Sequence, residues 1–200
     1  MQRARPYDRD EALDAALGLF WEKGYHATSL KDLEAVLRMK PGSIYAAFTS
    51  KEKLFLLTLE RYYERSREEF RSVVTEAPGP MAGLKAFLKA VASAEIRNPK
   101  HRACMLVKTL LTTTTEDAKI TRTVDSYLEG MAQEMAHVFE QAKAAGEIRA
   151  DLDPRRLARR FQSDLSALKI EAYRDAPAEE LARRADELAQ DLDDLRPAPH

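Results

Sequence analysis

The chain has 200 residues, a formal net charge of −1, 44% hydrophobic and 32% charged residues, and one cysteine. These values fit one or two globular domains with a real core; they exclude a disordered chain and an internal disulfide, and they argue mildly against a protein that coats nucleic acid by bulk charge, without excluding a local reader. The apolar run at residues 103–107 is far too short to span a membrane and the charged first residues are no export signal, so the expected location is cytoplasmic.

Residues 1–7 read as an arm carrying Arg3 and Arg5. A first helix opens near Asp8–Asp10, where acids suit the positive end of the helix dipole. Leu13, Ala16, Leu17, Phe20 and Trp21 repeat at helical spacing, and Gly24 is expected to end the helix as a left-handed cap. Thr28 and Ser29 offer oxygens to the next helix, with Asp32 completing an approximate capping box. Leu30, Leu33 and Val36/Leu37 form its expected buried face. Lys40-Pro41 begins a third helix, with Pro41 where a missing N–H costs nothing. Ile44 and Phe48 point inward, leaving Gly42, Ser43, Tyr45, Ala46 and Ala47 outside. Thr49 or Ser50 caps a fourth helix, with Glu52 completing a T-x-x-E box.

Helix then follows helix. The fourth carries Phe55, Leu59, Tyr62, Ser66, Phe70 and Val73 as far as Pro78-Gly79-Pro80. A fifth carries Leu84, Phe87, Leu88 and Val91 and stops at Asn98-Pro99. A sixth, with Ala103, Leu106, Val107, Leu110 and Leu111, runs into Thr112–Thr115, whose branched side chains weaken helix. The seventh carries Val124, Leu128, Met131, Met135, Val138 and Ala142 to Gly146, and the eighth carries Leu157, Phe161, Leu165 and Leu168. From Pro177 a ninth places Leu181, Ala185, Leu188, Leu192 and Leu195 in a two-heptad seam that calls for a partner helix. No long segment alternates with period two, so the chain is expected to be all-α with about nine helices.

Residues 28–53 have the layout of a helix-turn-helix reader of DNA. A helix enters the major groove when its outward residues are small or able to bond phosphates and bases. Lys40, Ser43 and Tyr45 are donors there, and Gly42, Ala46 and Ala47 permit close approach. A plain surface helix pair would show much the same pattern.

The run GYHATSLKDLE followed by KPGSIYAAFTSKEKLF resembles the amino-terminal domain of the tetracycline-repressor-like (TetR) family of bacterial transcriptional regulators. The later AKAAGEIRADLDPRRLARRF is similar to that family's link into its dimerising helices. The resemblance implies a helix-turn-helix domain over residues 1–50 and a larger effector-binding and dimerisation domain over 51–200. It implies a dimeric, ligand-responsive repressor on a pseudo-palindromic operator of double-stranded DNA, released by a small apolar effector. It assigns phosphate or base contact to Thr28, Ser29, Lys40, Pro41, Gly42, Ser43, Tyr45 and Lys51, with Arg3 and Arg5 reaching the minor groove. It places effector contacts among Phe87, Met105, Tyr127, Met131, Met135 and Phe139. A homodimer would pair the eighth and ninth helices as a four-helix bundle, with Leu165, Leu168, Leu181, Leu188 and Leu192 at the interface.

Two positions depart from that family. Leu37-Arg38-Met39 replaces the usual alanine-glycine-valine turn, so either Arg38 takes a conformation glycine favours, at about 1 kcal/mol, or the turn is shaped differently. Ala46 and Ala47 replace larger groups and offer thymine methyl contacts without hydrogen bonds. Cys104, within a helical turn of Arg102 and Lys108, is weighed as a redox sensor against a small core residue. His26, His101, His137 and His200 lack ligand spacing, so no metal or other cofactor is expected. With no nucleophile or phosphate-loop motif, an enzyme is disfavoured. The alternative function is a helical protein-interaction module that keeps the fold without binding an operator.

Overall fold

The computed structural model describes residues 8–97 and 103–197. Its described residues form nine α-helices and no strand. They are α1 (Arg9–Lys23), α2 (Leu30–Leu37), α3 (Pro41–Phe48), α4 (Lys51–Glu76), α5 (Pro80–Arg97), α6 (Met105–Thr112), α7 (Ala118–Ala144), α8 (Pro154–Tyr173) and α9 (Ala178–Asp191). Among the described residues no helix is long and apolar enough to cross a membrane. The expected arm with Arg3 and Arg5, the Asn98-Pro99 stop, Arg102, His101 and His200 lie outside the described residues.

The helix ends follow local chemistry. Asp8 caps α1 by accepting from the N–H groups of Asp10 and Glu11. Ser29 and Asp32 close the capping box of α2 reciprocally. Pro41 stands at the start of α3, and Asp153 caps α8 ahead of Pro154. Three expectations change. Gly24 has positive φ (81°) but ψ 170°, so it turns the chain without a left-handed helical cap. Ser50, not Thr49, caps α4, and Glu52 pairs with Lys119 at 3.1 Å instead of closing a box. Val36 and Leu111 are exposed, Leu111 to 77%, because α2 and α6 are short helices that bury only a narrow stripe.

Two apolar clusters make the core. One joins α1–α3 to the first turns of α4 and continues into Met105 and Leu106 of α6 and Ile120 and Val124 of α7. The other holds Phe70 with α5, the rest of α7, α8 and α9. The packing therefore runs across residue 50, and the core changes between Tyr62 and Phe70, half-way along α4. Where α5 crosses α4, a Cβ on Gly83 would lie 2.9 Å from the Val74 Cα, so that crossing needs glycine.

The seam on α9 is real, but its partner lies within the chain. Leu181 (1% exposed), Leu188 and Leu192 are buried against the same chain, as are Leu165 and Leu168 of α8. All five leucines expected at a dimer interface are thus spent on the internal core. A heptad stripe specifies that a helix face is covered, not which chain covers it.

Candidate nucleic-acid interface and effector cleft

The interface begins with α2 and α3, whose buried sides are fixed by Leu33, Ile44 and Phe48. Arg9 braces the pair from α1, donating to the Ala47 carbonyl at 3.2 Å and lying 5.2 Å from the Phe48 ring centre. Arg38 takes the left-handed conformation in the turn between them (φ 53°, ψ 36°), which settles the choice its departure from glycine left open. The register this turn sets leaves Lys40, Gly42, Ser43, Tyr45 and Ala46 exposed, while Pro41 and Ala47 are half-buried.

Gly42 is informative by what it does not do. A Cβ there would meet nothing within 4 Å, and its φ is not positive. The fold does not need glycine at that position, although glycine weakens a helix relative to alanine. Glycine there leaves room for a close approach from outside the chain.

Lys51, the first residue of α4, holds its ammonium 4.6 Å from the Tyr25 ring centre, and burial draws its pKa below the ordinary lysine value. It stands beside this surface as a partly desolvated cation. Thr28 does not fit its expected role. It is fully buried and donates its hydroxyl to the Gly24 carbonyl at 2.7 Å, so its side chain is structural. Ser29 is exposed, but its hydroxyl is held by Asp32, whose carboxyl lies well below its usual pKa through Lys23 (2.7 Å) and Ser29.

A second feature lies in the larger half. A cleft of about 70 Å³, partly open to solvent, is walled by Tyr62 and Ser66 of α4, Phe87 of α5, Leu106 of α6, Met131 and Met135 of α7, and Gln162 and Lys169 of α8. Phe87, Met131 and Met135 were legible as candidates. Met105 is instead buried in the core shared with α1–α4, Tyr127 stacks on Tyr63 at 4.5 Å, and Phe139 packs edge-on against Phe161. Tyr62, Gln162 and Lys169 were missed. Tyr62 shares the helical stripe of the fourth helix with core residues, and the polar pair sits on the half-buried side of α8, which an apolar stripe does not mark.

The cleft reaches the DNA-facing half through short contacts. Tyr62 packs edge-on against Trp21 of α1 at 4.9 Å, and the Trp21 indole donates to the Ala103 carbonyl at 3.0 Å. Ala103 has φ 69°, a strained value for a residue with a Cβ, and precedes Cys104, which lines the cleft and stands at the N-cap position of α6 without a side-chain capping bond. Lys108 donates to the carbonyl of Trp21 at 2.7 Å and more weakly to that of Glu22 at 3.4 Å, so its charge serves the end of α1. His26 meets the buried Asp117 at 2.7 Å, tying the loop after α1 to the turn before α7. Hydrogen bonds from Thr114 and His26 hold Asp117 below its ordinary pKa against the opposing effect of burial. Burial pushes the Tyr62 phenol well above its usual value, helped by Cys104 and opposed by Lys169. Tyr62 is therefore a neutral hydroxyl at physiological pH.

Comparison with known proteins agrees with this division. Residues 12–58 match "Bacterial regulatory proteins, tetR family", and residues 80–186 match "Tetracyclin repressor-like, C-terminal domain". The chain is 31% identical over 186 residues to the HTH-type transcriptional repressor ComR of Escherichia coli K12, covering 92% of this chain and 89% of that one. It superposes with TM-score 0.86 and 28% identity on a cysteine-substituted form of the TetR family regulator CifR bound to 26-base-pair operator DNA, covering 94% of this chain and 98% of that one. A TetR regulator from Chloroflexus aurantiacus gives TM-score 0.81 at 25% identity, over 91% and 92% of the two chains. With both halves matched and the helix-turn-helix face intact, the chain belongs to the TetR family of bacterial regulatory proteins and is a DNA-binding transcriptional regulator.

Proposed function

We infer that this regulator is a cytoplasmic, ligand-responsive repressor and not an enzyme. It binds a pseudo-palindromic operator as a homodimer and leaves it when a small molecule fills the cleft. The observation that carries the DNA contact is the outward face of α3, where Gly42, Ser43, Tyr45 and Ala46 lie uncovered after Lys40 and the fold does not demand the glycine. Lys40, Ser43, Tyr45 and Lys51 contact phosphates and base edges, Pro41 and Gly42 set the approach of the helix, and Ser29 contributes its backbone end of α2. Arg3 and Arg5 add minor-groove contacts. Relatives named as repressors, and one solved on operator DNA, support the same reading.

Two copies are joined through the outer faces of α8 and α9. Ile170 (46% exposed) and Tyr173 (58%) stand out from α8, and Ala167, Ala178 and Ala182 are small and exposed beside them. A two-fold pair sets its recognition helices about one helical turn of DNA apart, roughly 34 Å. The effector acts by favouring a different separation, which requires that it bind one arrangement better than the other. Tyr62, Cys104 and Leu106 carry that preference from the cleft to Trp21 and Lys108 at the end of α1.

Selection of bound DNA from a random pool, followed by gel shifts, tests the reading. Tyr45→Ala and Lys51→Ala are expected to weaken binding to the selected site at least about tenfold each, while the melting temperature holds. Failure to select any DNA would favour the protein-interaction module instead, and unchanged affinity in both variants would move the contact off Tyr45 and Lys51.

A further inference from the structure

Lys108, midway along α6, meets two other helices at once. Its ammonium donates to the Trp21 carbonyl at 2.7 Å and to the Glu22 carbonyl at 3.4 Å, both in the last turn of α1, and it lies 5.5 Å from the centre of the Tyr173 ring at the end of α8. The last carbonyls of a helix have no partner within it and carry the negative end of its dipole, so a cation held there fixes where α1 ends. α1 in turn braces α3 through Arg9, so the end of α1 and the recognition helix share one support.

Two other ties join the end of α1 to the larger half, and both finish at buried residues: the Trp21 indole at Ala103 and His26 at Asp117. The tie through Lys108 finishes at the surface. Tyr173 is 58% exposed, and Ile170, three residues before it on the same side of α8, is exposed as well. A cation over an aromatic face is held weakly where the pair is wetted and more firmly where it is desolvated. A second subunit covering Tyr173 would therefore strengthen its hold on Lys108, and through Lys108 its hold on the end of α1.

We propose that Lys108 is a positioning residue for DNA binding, which transmits the pairing of subunits at Tyr173 to the end of α1 and so to the recognition helix. The proposal rests on the reading of α8 as part of the pairing face. Pairing then does more than bring two readers together. It also stiffens each of them, and a reader already fixed loses less freedom on meeting DNA.

Operator affinity of the full-length protein, measured by gel shift across a range of salt, tests this. Lys108→Met and Tyr173→Leu are each expected to weaken binding about three- to tenfold, while Lys108→Arg and Tyr173→Phe, which keep the cation and the ring, stay within about twofold of the wild type. Combining Lys108→Met with Tyr173→Leu should lose no more than Lys108→Met alone, because both break the same tie. The slope of log affinity on log salt should not change in Lys108→Met, since this lysine meets helix carbonyls and not phosphates. Unchanged affinity in Lys108→Met, losses that multiply in the double variant, or a shallower salt slope would overturn the proposal. If Lys108→Met fails to fold by circular dichroism, the Tyr173 variants decide: weaker binding with leucine than with phenylalanine supports the tie, and equal binding overturns it. Light scattering on the same samples keeps the pairing face separate. A dimer in every variant with multiplying losses would spare the face and sink the role of Lys108, whereas a wild-type monomer would sink the pairing face itself. Should Tyr173→Leu alone turn monomeric, the face is supported, and a dimeric Lys108→Met decides the rest by being weakened or not.

Discussion

The outward face of α3 and the apolar seam of α9 contrast in what covers them. On α3, small and polar residues stand uncovered, and at Gly42 the fold makes no demand for glycine. On α9, the leucines that look most in need of a partner are already covered by their own chain. Residues that answer a demand inside the molecule are poor guides to what it binds, and residues the fold leaves unexplained are better ones.

Several substitutions would break or sharpen that contrast. Leu181→Ala should cost about 2–5 kcal/mol in chemical denaturation, as expected for a buried leucine, and leave the subunit mass unchanged under folding conditions. Ile170→Glu with Tyr173→Glu should do the opposite, giving a folded monomer by light scattering. A monomeric Leu181→Ala variant of normal stability would return the seam to the interface. The same replacement at two glycines gives a second comparison. Gly83→Ala forces a Cβ onto the α4 backbone and should destabilise by about 1–3 kcal/mol. Gly42→Ala meets open space, so its melting temperature should hold or rise slightly while operator affinity falls several-fold. Loss of stability without loss of affinity would show that the fold does use Gly42.

Asp117 offers a smaller effect with a defined pH dependence. Asp117→Asn breaks its charge-assisted hydrogen bonds to Thr114 and His26 and should cost about 1–2 kcal/mol at neutral pH. The folded pKa of Asp117 lies below the ordinary 3.8, so the unfolded chain binds its proton first as pH falls. Its contribution is therefore fully present above about pH 4 and is lost as pH falls through the lowered folded value. Denaturation midpoints followed from neutral pH to acid should fall less steeply in the asparagine variant. Parallel curves would remove Asp117 from the link between the two halves.

Much of the fold was legible because helix ends and stripes are written locally. Asp8, Ser29, Pro41 and Pro80 stand at or beside helix starts, and Ile44 and Phe48 are buried as their spacing implied. The strain at Arg38 was readable from its departure from glycine. The buried hydroxyl of Thr28 was not, because a threonine before a helix can cap, contact a ligand or fill a core, and only the tertiary position of Gly24 decides. Met105, Tyr127 and Phe139 failed as cleft residues for a related reason. Apolar side chains facing a cavity and those facing a packed core occupy the same helical stripe. The polar wall from Gln162 to Lys169 escaped notice because it depends on how α8 rotates against α4 and α7.

The turn at Arg38 carries a further consequence. A left-handed arginine makes the chain less stable than glycine there would by about 1 kcal/mol. Its side chain is exposed, so packing offers no return for that strain. Selection for stability alone would favour glycine there, so substitution gives a direct test of whether the exposed guanidinium adds to DNA binding. Arg38→Gly should then be a thermostabilised protein with weaker and more salt-tolerant DNA binding, a trade between endurance and grip set by one backbone angle.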